Sequence, residues 1–201
     1  MIAILDYDAG NIKSVEKALE YLGEETIITR DKDIILSSDK AILPGVGAFG
    51  DAMRKLREYG LDKVIYDYVE SKKPFLGICL GLQLLYKTSQ ESPEATGLGI
   101  LDGDILKIPE NGELKVPQIG WNSLDITPGA RLFKGIKNNS YVYFVHSYYL
   151  KSHDLKDVAA TTEYSVKIHA SVEKDNVFAC QFHPEKSSDV GMKILKNFIE
   201  L

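Results

Sequence analysis

Cysteine is scarce in this chain. The 201 residues hold only Cys79 and Cys180, too few and too far apart for the disulfide framework of a small secreted domain. Long apolar runs are missing too: no stretch approaches the roughly 20 residues that span a bilayer. The run Met1–Leu5 ends at Asp6, so nothing at the N-terminus reads as a signal peptide. Excess charge of either sign is small, with 24 Lys plus Arg against 29 Asp plus Glu leaving a net −5. That balance argues against the clustered basic surface of a nucleic-acid binder, and no block of like charge forms an interaction tail. C-x-x-C, H-E-x-x-H and paired His/Asp spacings are absent, so neither a metal nor a cofactor is expected. Repeats, low-complexity tracts and Ser/Gly/Pro-rich linkers are also lacking, which makes one domain over residues 1–201 the economical reading. The remaining composition, 44% hydrophobic and 26% charged, is that of a globular protein with a real core. We expect it in the cytosol with both thiols reduced.

What is present is a regular alternation. Ile2–Leu5, Thr26–Thr29, Lys40–Leu43 and Phe75–Ile78 read as short buried strands. Between them Ile12, Val15, Leu19 and Leu22 share a helical face that Asn11 can cap and Gly23 stops. Helical periodicity also covers about 48–58, 61–71 and 80–87. Strands alternating with helices imply right-handed crossovers and a parallel sheet. From about residue 97 the texture is strand-like over Ile100–Ile108, Leu114–Asp125, Tyr141–Leu150, Val158–Thr162, Val166–Val172 and Val177–Phe182, before a closing helix over about 189–200. The expected class is therefore α/β: a mostly parallel central sheet flanked by helices, with added antiparallel strands in the C-terminal half.

Gly77-Ile78-Cys79-Leu80-Gly81 lies between an apolar run and a helical pattern. This is the G-x-nucleophile-x-G arrangement of a strained strand-to-helix turn. Its small flanking residues relieve crowding, and the following helix N-terminus favours a thiolate at Cys79. The backbone N–H of Leu80 would point where an oxyanion forms. The same pentapeptide also suits a buried cysteine in a tight βα turn. Among four histidines, His183 stands out in Gln181-Phe182-His183-Pro184-Glu185 at the end of an apolar strand. Pro184 restricts the backbone so that His183 and Glu185 can project into one cleft, with the carboxylate orienting the imidazole. Taken alone, H-P-E also fits a solvent-facing turn. His146 reads as part of a binding wall, and His153 and His169 as surface or strand positions. If 177–183 is a regular strand, Cys180 points away from His183 and is a core residue. Pro44-Gly45-Val46-Gly47, between a strand and a helix, can bring backbone N–H groups to a ligand, although a plain flexible loop has the same composition.

A PG-x-G loop, a G-x-C-x-G elbow and a C-terminal HPE, in that order across essentially the whole chain, resemble the class I (triad) glutamine amidotransferases. Asp6–Asn11, Pro117–Asn122, His146–Tyr149 and His183–Ser187 are similar to a branch of that family. Its members pass ammonia to a separate (β/α)8-barrel cyclase that makes imidazole glycerol phosphate in histidine biosynthesis. The resemblance implies a heterodimer with that cyclase and glutamine hydrolysis by Cys79, His183 and Glu185. It further implies oxyanion and substrate contacts from Gly45, Val46, Gly47, Leu80, Gln83, Ser147 and Tyr148. Trp121, Asn122 and Lys186 are the candidate partner contacts, with a core position the alternative for Trp121. The family also implies a glutaminase that is weak alone and stimulated when the cyclase binds its nucleotide; rotation of the Gly45–Gly47 backbone would be one physical route. Two rivals share the elbow: the glutaminase of a pyridoxal 5′-phosphate synthase, and a DJ-1-like protein without glutaminase activity, in which the HPE pairing is not expected. The length fits a glutaminase domain alone, which puts the acceptor chemistry on another chain.

Overall fold

A computed structural model describes residues 1–110, 112 and 114–201. Its first strands are β1 (Ile2–Leu5), β2 (Thr26–Thr29), β3 (Lys40–Leu43) and β4 (Phe75–Ile78). They alternate with α1 (Ile12–Tyr21), α2 (Lys32–Ser37), α3 (Phe49–Glu58) and α4 (Leu61–Glu70), and α5 (Leu80–Leu84) follows β4. The later strands are β5 (Thr88–Ser89), β6 (Gly103–Lys107), β7 (Gln118–Ser123), β8 (Asp125–Ile126), β9 (Tyr141–His146), β10 (Tyr148–Ser152), β11 (Val158–Tyr164), β12 (Val166–Lys174) and β13 (Val177–Cys180). The chain closes on α6 (Ser188–Ile199).

One sheet carries eight strands in the order β2-β1-β3-β4-β13-β12-β11-β8. The pairings from β2 through β13 are parallel, and β12, β11 and β8 extend the sheet antiparallel. The fold is the expected α/β class. Strand parity sorts its core. Ala3, Leu5, Ala41, Leu43, Phe75, Val177 and Ala179 face α2, α3 and α4, while Ile2, Ile4, Ile42, Leu76, Ile78, Phe178 and Cys180 face α1 and α6.

Several local expectations differ from the structure. β13 is not one of the antiparallel additions: it inserts beside β4 in parallel, Cys180 opposite Ile78. Its four residues are all buried, as a strand covered on both faces requires. The strand read over Tyr141–Leu150 breaks at Ser147, sending β9 to pair with β7 and β10 with β6. The strands read over Leu114–Asp125 and Ile100–Ile108 begin only at Gln118 and Gly103, and the helix read to residue 87 ends at Leu84. Helix α2, absent from the sequence reading, is capped by Asp31, whose side chain accepts from the N–H groups of Asp33 and Ile34.

Candidate active site

β4 ends at Ile78 and α5 begins at Leu80, so Cys79 alone makes the turn, at φ 55° and ψ −107°. An L-residue holds that conformation only under constraint. The flanking glycines allow the close packing around it. A Cβ on Gly77 would lie 2.8 Å from the Gly81 carbonyl oxygen, and one on Gly81 only 1.9 Å from that of Leu43. The Cys79 N–H donates to the Cys180 carbonyl at 2.8 Å, which ties the elbow to β13. Adjacent parallel strands thus deliver Cys79 and the segment Gln181–Glu185 to one end of the sheet, where open α/β sheets place their ligands.

His183 and Glu185 come together, with Nδ1 to Oε1 at 2.8 Å and both side chains almost fully buried. Asn11 does not cap α1 with its side chain. It sits at φ 69° and its Nδ2 donates to the same Glu185 Oε1 at 2.6 Å. Among the described residues, buried Nε2 of His183 and Oε2 of Glu185 have no hydrogen-bond partner. Burial opposes charge on His183, but Cys79 and Glu185 outweigh it and raise the imidazole to about 9. Nδ1 faces the Glu185 carboxylate, which leaves Nε2 as the uncommitted ring nitrogen.

The Pro44–Gly47 loop follows β3. Tyr7, buried at the end of β1, donates its hydroxyl to the Pro44 carbonyl at 2.7 Å. Burial, and then the charge at Cys79, push that phenol upward, so it stays a neutral donor. The Leu80 N–H does not stand open for an oxyanion as expected: it donates to the Gly45 carbonyl at 3.3 Å. Gly45 itself is buried, and a Cβ there would meet the Tyr7 hydroxyl at 2.2 Å.

A cleft of about 310 Å³ opens over Cys79, at the small end of ligand pockets. Val46, Gly47, Leu80, Gln83, Ser147 and Tyr148 line it, together with Glu91, Pro117, Val145 and His146. Gly45 is buried and does not line it. Gln83 Nε2 donates to the Tyr148 carbonyl and to Gln181 Oε1, both at 3.1 Å, which leaves its Oε1 for the cleft. His146 is the wall residue the sequence suggested. Its ring nitrogens lie 2.8 Å from the Tyr148 carbonyl and from Gln118 Oε1, and burial pushes it down to about 4. Cys180 is fully buried, and desolvation, Glu185 and Cys79 push its thiol well up. His153 lies apart on the surface between Asp102 and Asp104, and the ring of His169 accepts the Ser152 N–H.

Trp121 is 53% exposed, not core, and stands with Ile119 and Tyr141 on the outer face of the β7–β9 ribbon. Lys186 is exposed beside the triad. Asn122 is half-buried and its amide donates within the chain to the Glu163 carbonyl. Asn11, Tyr7 and Gln181 were missed as site residues. No spacing rule joins positions as far apart as Asn11 and Glu185; only the sheet order does.

Comparison with known proteins gives a consistent picture. The profile described as "Glutamine amidotransferase class-I" matches residues 3–201. The "Imidazole glycerol phosphate synthase subunit HisH" of Caldanaerobacter subterraneus is 51% identical over 201 residues, covering 100% of this chain and 98% of that one. The protein of the same name from Methanocaldococcus jannaschii is 49% identical, with 100% of both chains covered. Among solved structures, "Structure of PurLQS from Thermotoga maritima" superposes with a TM-score of 0.78 at 22% identity, covering 99% of this chain and 97% of that one. That likeness speaks to the fold alone.

Proposed function

Because this chain belongs to the class-I glutamine amidotransferase family, we infer that it is the glutamine-hydrolysing, ammonia-donating subunit of an imidazole glycerol phosphate synthase. It works in histidine biosynthesis with a partner subunit. What supports the assignment of residues is an elbow cysteine at the end of β4 that interacts with the imidazole of His183 beyond the end of β13, itself held by a carboxylate. In this reading Cys79 is the nucleophile. Its thiolate attacks the side-chain amide carbon of glutamine, forming the C–S bond and placing negative charge on the oxygen. His183 Nε2–H protonates the amide nitrogen as the C–N bond breaks, and ammonia leaves a γ-glutamyl thioester. The imidazole, now neutral, takes a proton from water as the oxygen attacks the thioester. Glutamate and the thiolate are released, and the proton is back on His183. Glu185 holds the ring in the productive tautomer throughout. Gln83 Oε1, Ser147 and Tyr148 are assigned to the substrate.

We assign the partner as a (β/α)8-barrel cyclase forming a heterodimer over the β7–β9 face. Val145, on that face, also lines the cleft, and Trp121 packs edge-on against Tyr143 at 6.1 Å. Docking there would roof the site and give ammonia a dry path, which it needs because ammonium in water is not nucleophilic. Trp121 and Lys186 are the contacts this reading retains as free, whereas the Asn122 amide is already engaged. Among the described residues no helix is long and apolar enough to cross a membrane, and we place the protein in the cytosol as a single domain over 1–201.

The experiment compares Cys79→Ala with Cys180→Ala for glutamate release by the assembled complex. Cys79→Ala should be inactive and Cys180→Ala close to wild type, and a γ-glutamyl adduct should be trapped on Cys79. Full activity in Cys79→Ala would refute the assignment.

A further inference from the structure

We propose that Gln181 is a catalytic residue whose side-chain amide donates to the Cys79 sulfur and holds the thiolate; this deepens, and rests on, the nucleophile assignment above. Gln181 is fully buried two residues before His183, and its Nε2 lies 3.7 Å from Cys79 Sγ. The two ends of a glutamine amide look alike, so its orientation must come from its neighbours. Here a backbone carbonyl decides. The Tyr148 carbonyl can only accept, so the nitrogen of the Gln83 amide must face it, at 3.1 Å. That same nitrogen, with its second hydrogen, lies 3.1 Å from Gln181, so the Gln181 atom facing it must be the acceptor oxygen. What remains to face the sulfur is the Gln181 NH2 group. The chain Tyr148 carbonyl, Gln83, Gln181, Cys79 thus has one hydrogen-bond polarity, and it ends with an N–H aimed at the nucleophile.

This placement answers a need. The Val145 carbonyl, 4.0 Å from the same sulfur, suits the protonated thiol, whereas an N–H aimed at the sulfur favours its ionised form. Gln181 supplies such a donor from β13. The same chain couples Gln83, which lines the cleft, to the sulfur. A substrate that engages Gln83 Oε1 tightens the donors that support the nucleophile.

Gln181→Met keeps the volume and removes the donor. Alkylation of Cys79 by iodoacetamide, followed by mass spectrometry across pH, should slow about tenfold at neutral pH and its profile should move to higher pH. In the complex, kcat should fall by a similar factor with KM within about twofold. A Gln181→Met profile and kcat within twofold of wild type overturn the proposal. So does a rise in KM with kcat unchanged, which would mark a binding role. If Gln181→Met does not fold, 15N-labelled wild type decides: the Gln181 side-chain amide signal should move over the pH range in which Cys79 becomes reactive, and a stationary signal overturns the donor role. Cys79→Ala separates the two claims. If it still released glutamate, the nucleophile assignment would fail whatever the alkylation profile of the Gln181 variant.

Discussion

Replacing Asn11 should disable the triad without touching any atom that meets substrate. Its Nδ2 donates at 2.6 Å to Glu185 Oε1, the oxygen that also holds His183, while buried Oε2 has no partner among the described residues. A hydrogen bond to a buried carboxylate contributes on the order of 1.5–3 kcal/mol. Without it Glu185 is free to turn, and the imidazole loses its fixed orientation. If that energy is lost in the transition state, kcat falls about 10- to 100-fold, since each 1.36 kcal/mol is a factor of about ten. The backbone gives an internal control. Asn11 sits at φ 69°, where alanine is penalised by roughly 1–2 kcal/mol and glycine is not. Asn11→Gly and Asn11→Ala should therefore lose the same activity, while Asn11→Ala unfolds at lower urea by about 1 kcal/mol more. The assays are glutamate release at saturating glutamine by the complex and urea unfolding of the subunit. An Asn11→Gly variant with kcat within twofold of wild type would refute the reasoning.

Two histidines set opposite pH limits. His146, held near 4 by burial against an ordinary 6.5, is protonated mainly in the unfolded chain, so stability should drop as pH falls from 6.5 towards 4, by about 3 kcal/mol in total. His146→Gln should flatten that limb in urea titrations at stepped pH. His183, raised to about 9, contributes stability that is complete below 6.5 and lost as pH rises through 9; His183→Gln should remove that alkaline loss. At the ribbon, Trp121→Glu should weaken binding of the proposed cyclase roughly 30-fold or more, as a desolvated aromatic anchor would, and lower the subunit's own stability by only about 1 kcal/mol through loss of the Tyr143 contact. A Kd within threefold by calorimetry would move the interface elsewhere.

The parts of the site that are local in sequence were legible. The glycines of the elbow announce a turn that no Cβ can enter, and His183-Pro184-Glu185 fixes two side chains within one short turn. The apolar runs Ile2–Leu5, Ala41–Leu43 and Phe75–Ile78 also point to β1, β3 and β4 directly, because each is buried on both faces. What escaped was set by pairing. Val177–Cys180 reads the same whether it lies parallel or antiparallel, and only its insertion beside β4 brings Gln181 to Cys79. Asn11 has the chemistry of a cap, and in its observed left-handed conformation it serves a carboxylate from the far end of the chain instead. The break at Ser147 was hidden because Tyr141–Leu150 is β-favouring throughout, and only the two different partner strands reveal it.

On the assignment proposed above, the Pro44–Gly47 loop in this conformation holds back one of its own oxyanion donors. The Gly45 carbonyl and the Val46 N–H belong to one planar peptide unit. In this conformation the carbonyl end of that unit accepts the Leu80 N–H, one of the donors assigned to the oxyanion. Turning the unit about its long axis would do two things at once: release the Leu80 N–H and bring the Val46 N–H round to the side the carbonyl had occupied. Two donors would appear in a single rotation. The neighbouring residues suit such a movement. Tyr7 clamps the Pro44 carbonyl at 2.7 Å, which fixes the loop on one side, while Gly47 at φ 107° supplies backbone freedom on the other. Each oxyanion donor contributes about 2.7–4 kcal/mol to the transition state. A partner that favours the rotated peptide by a comparable amount would raise glutaminase turnover by about 100- to 1,000-fold without moving Cys79, His183 or Glu185. On the assignment proposed above, the triad would supply the chemistry and the Gly45–Val46 peptide plane would set whether the charge it creates is held.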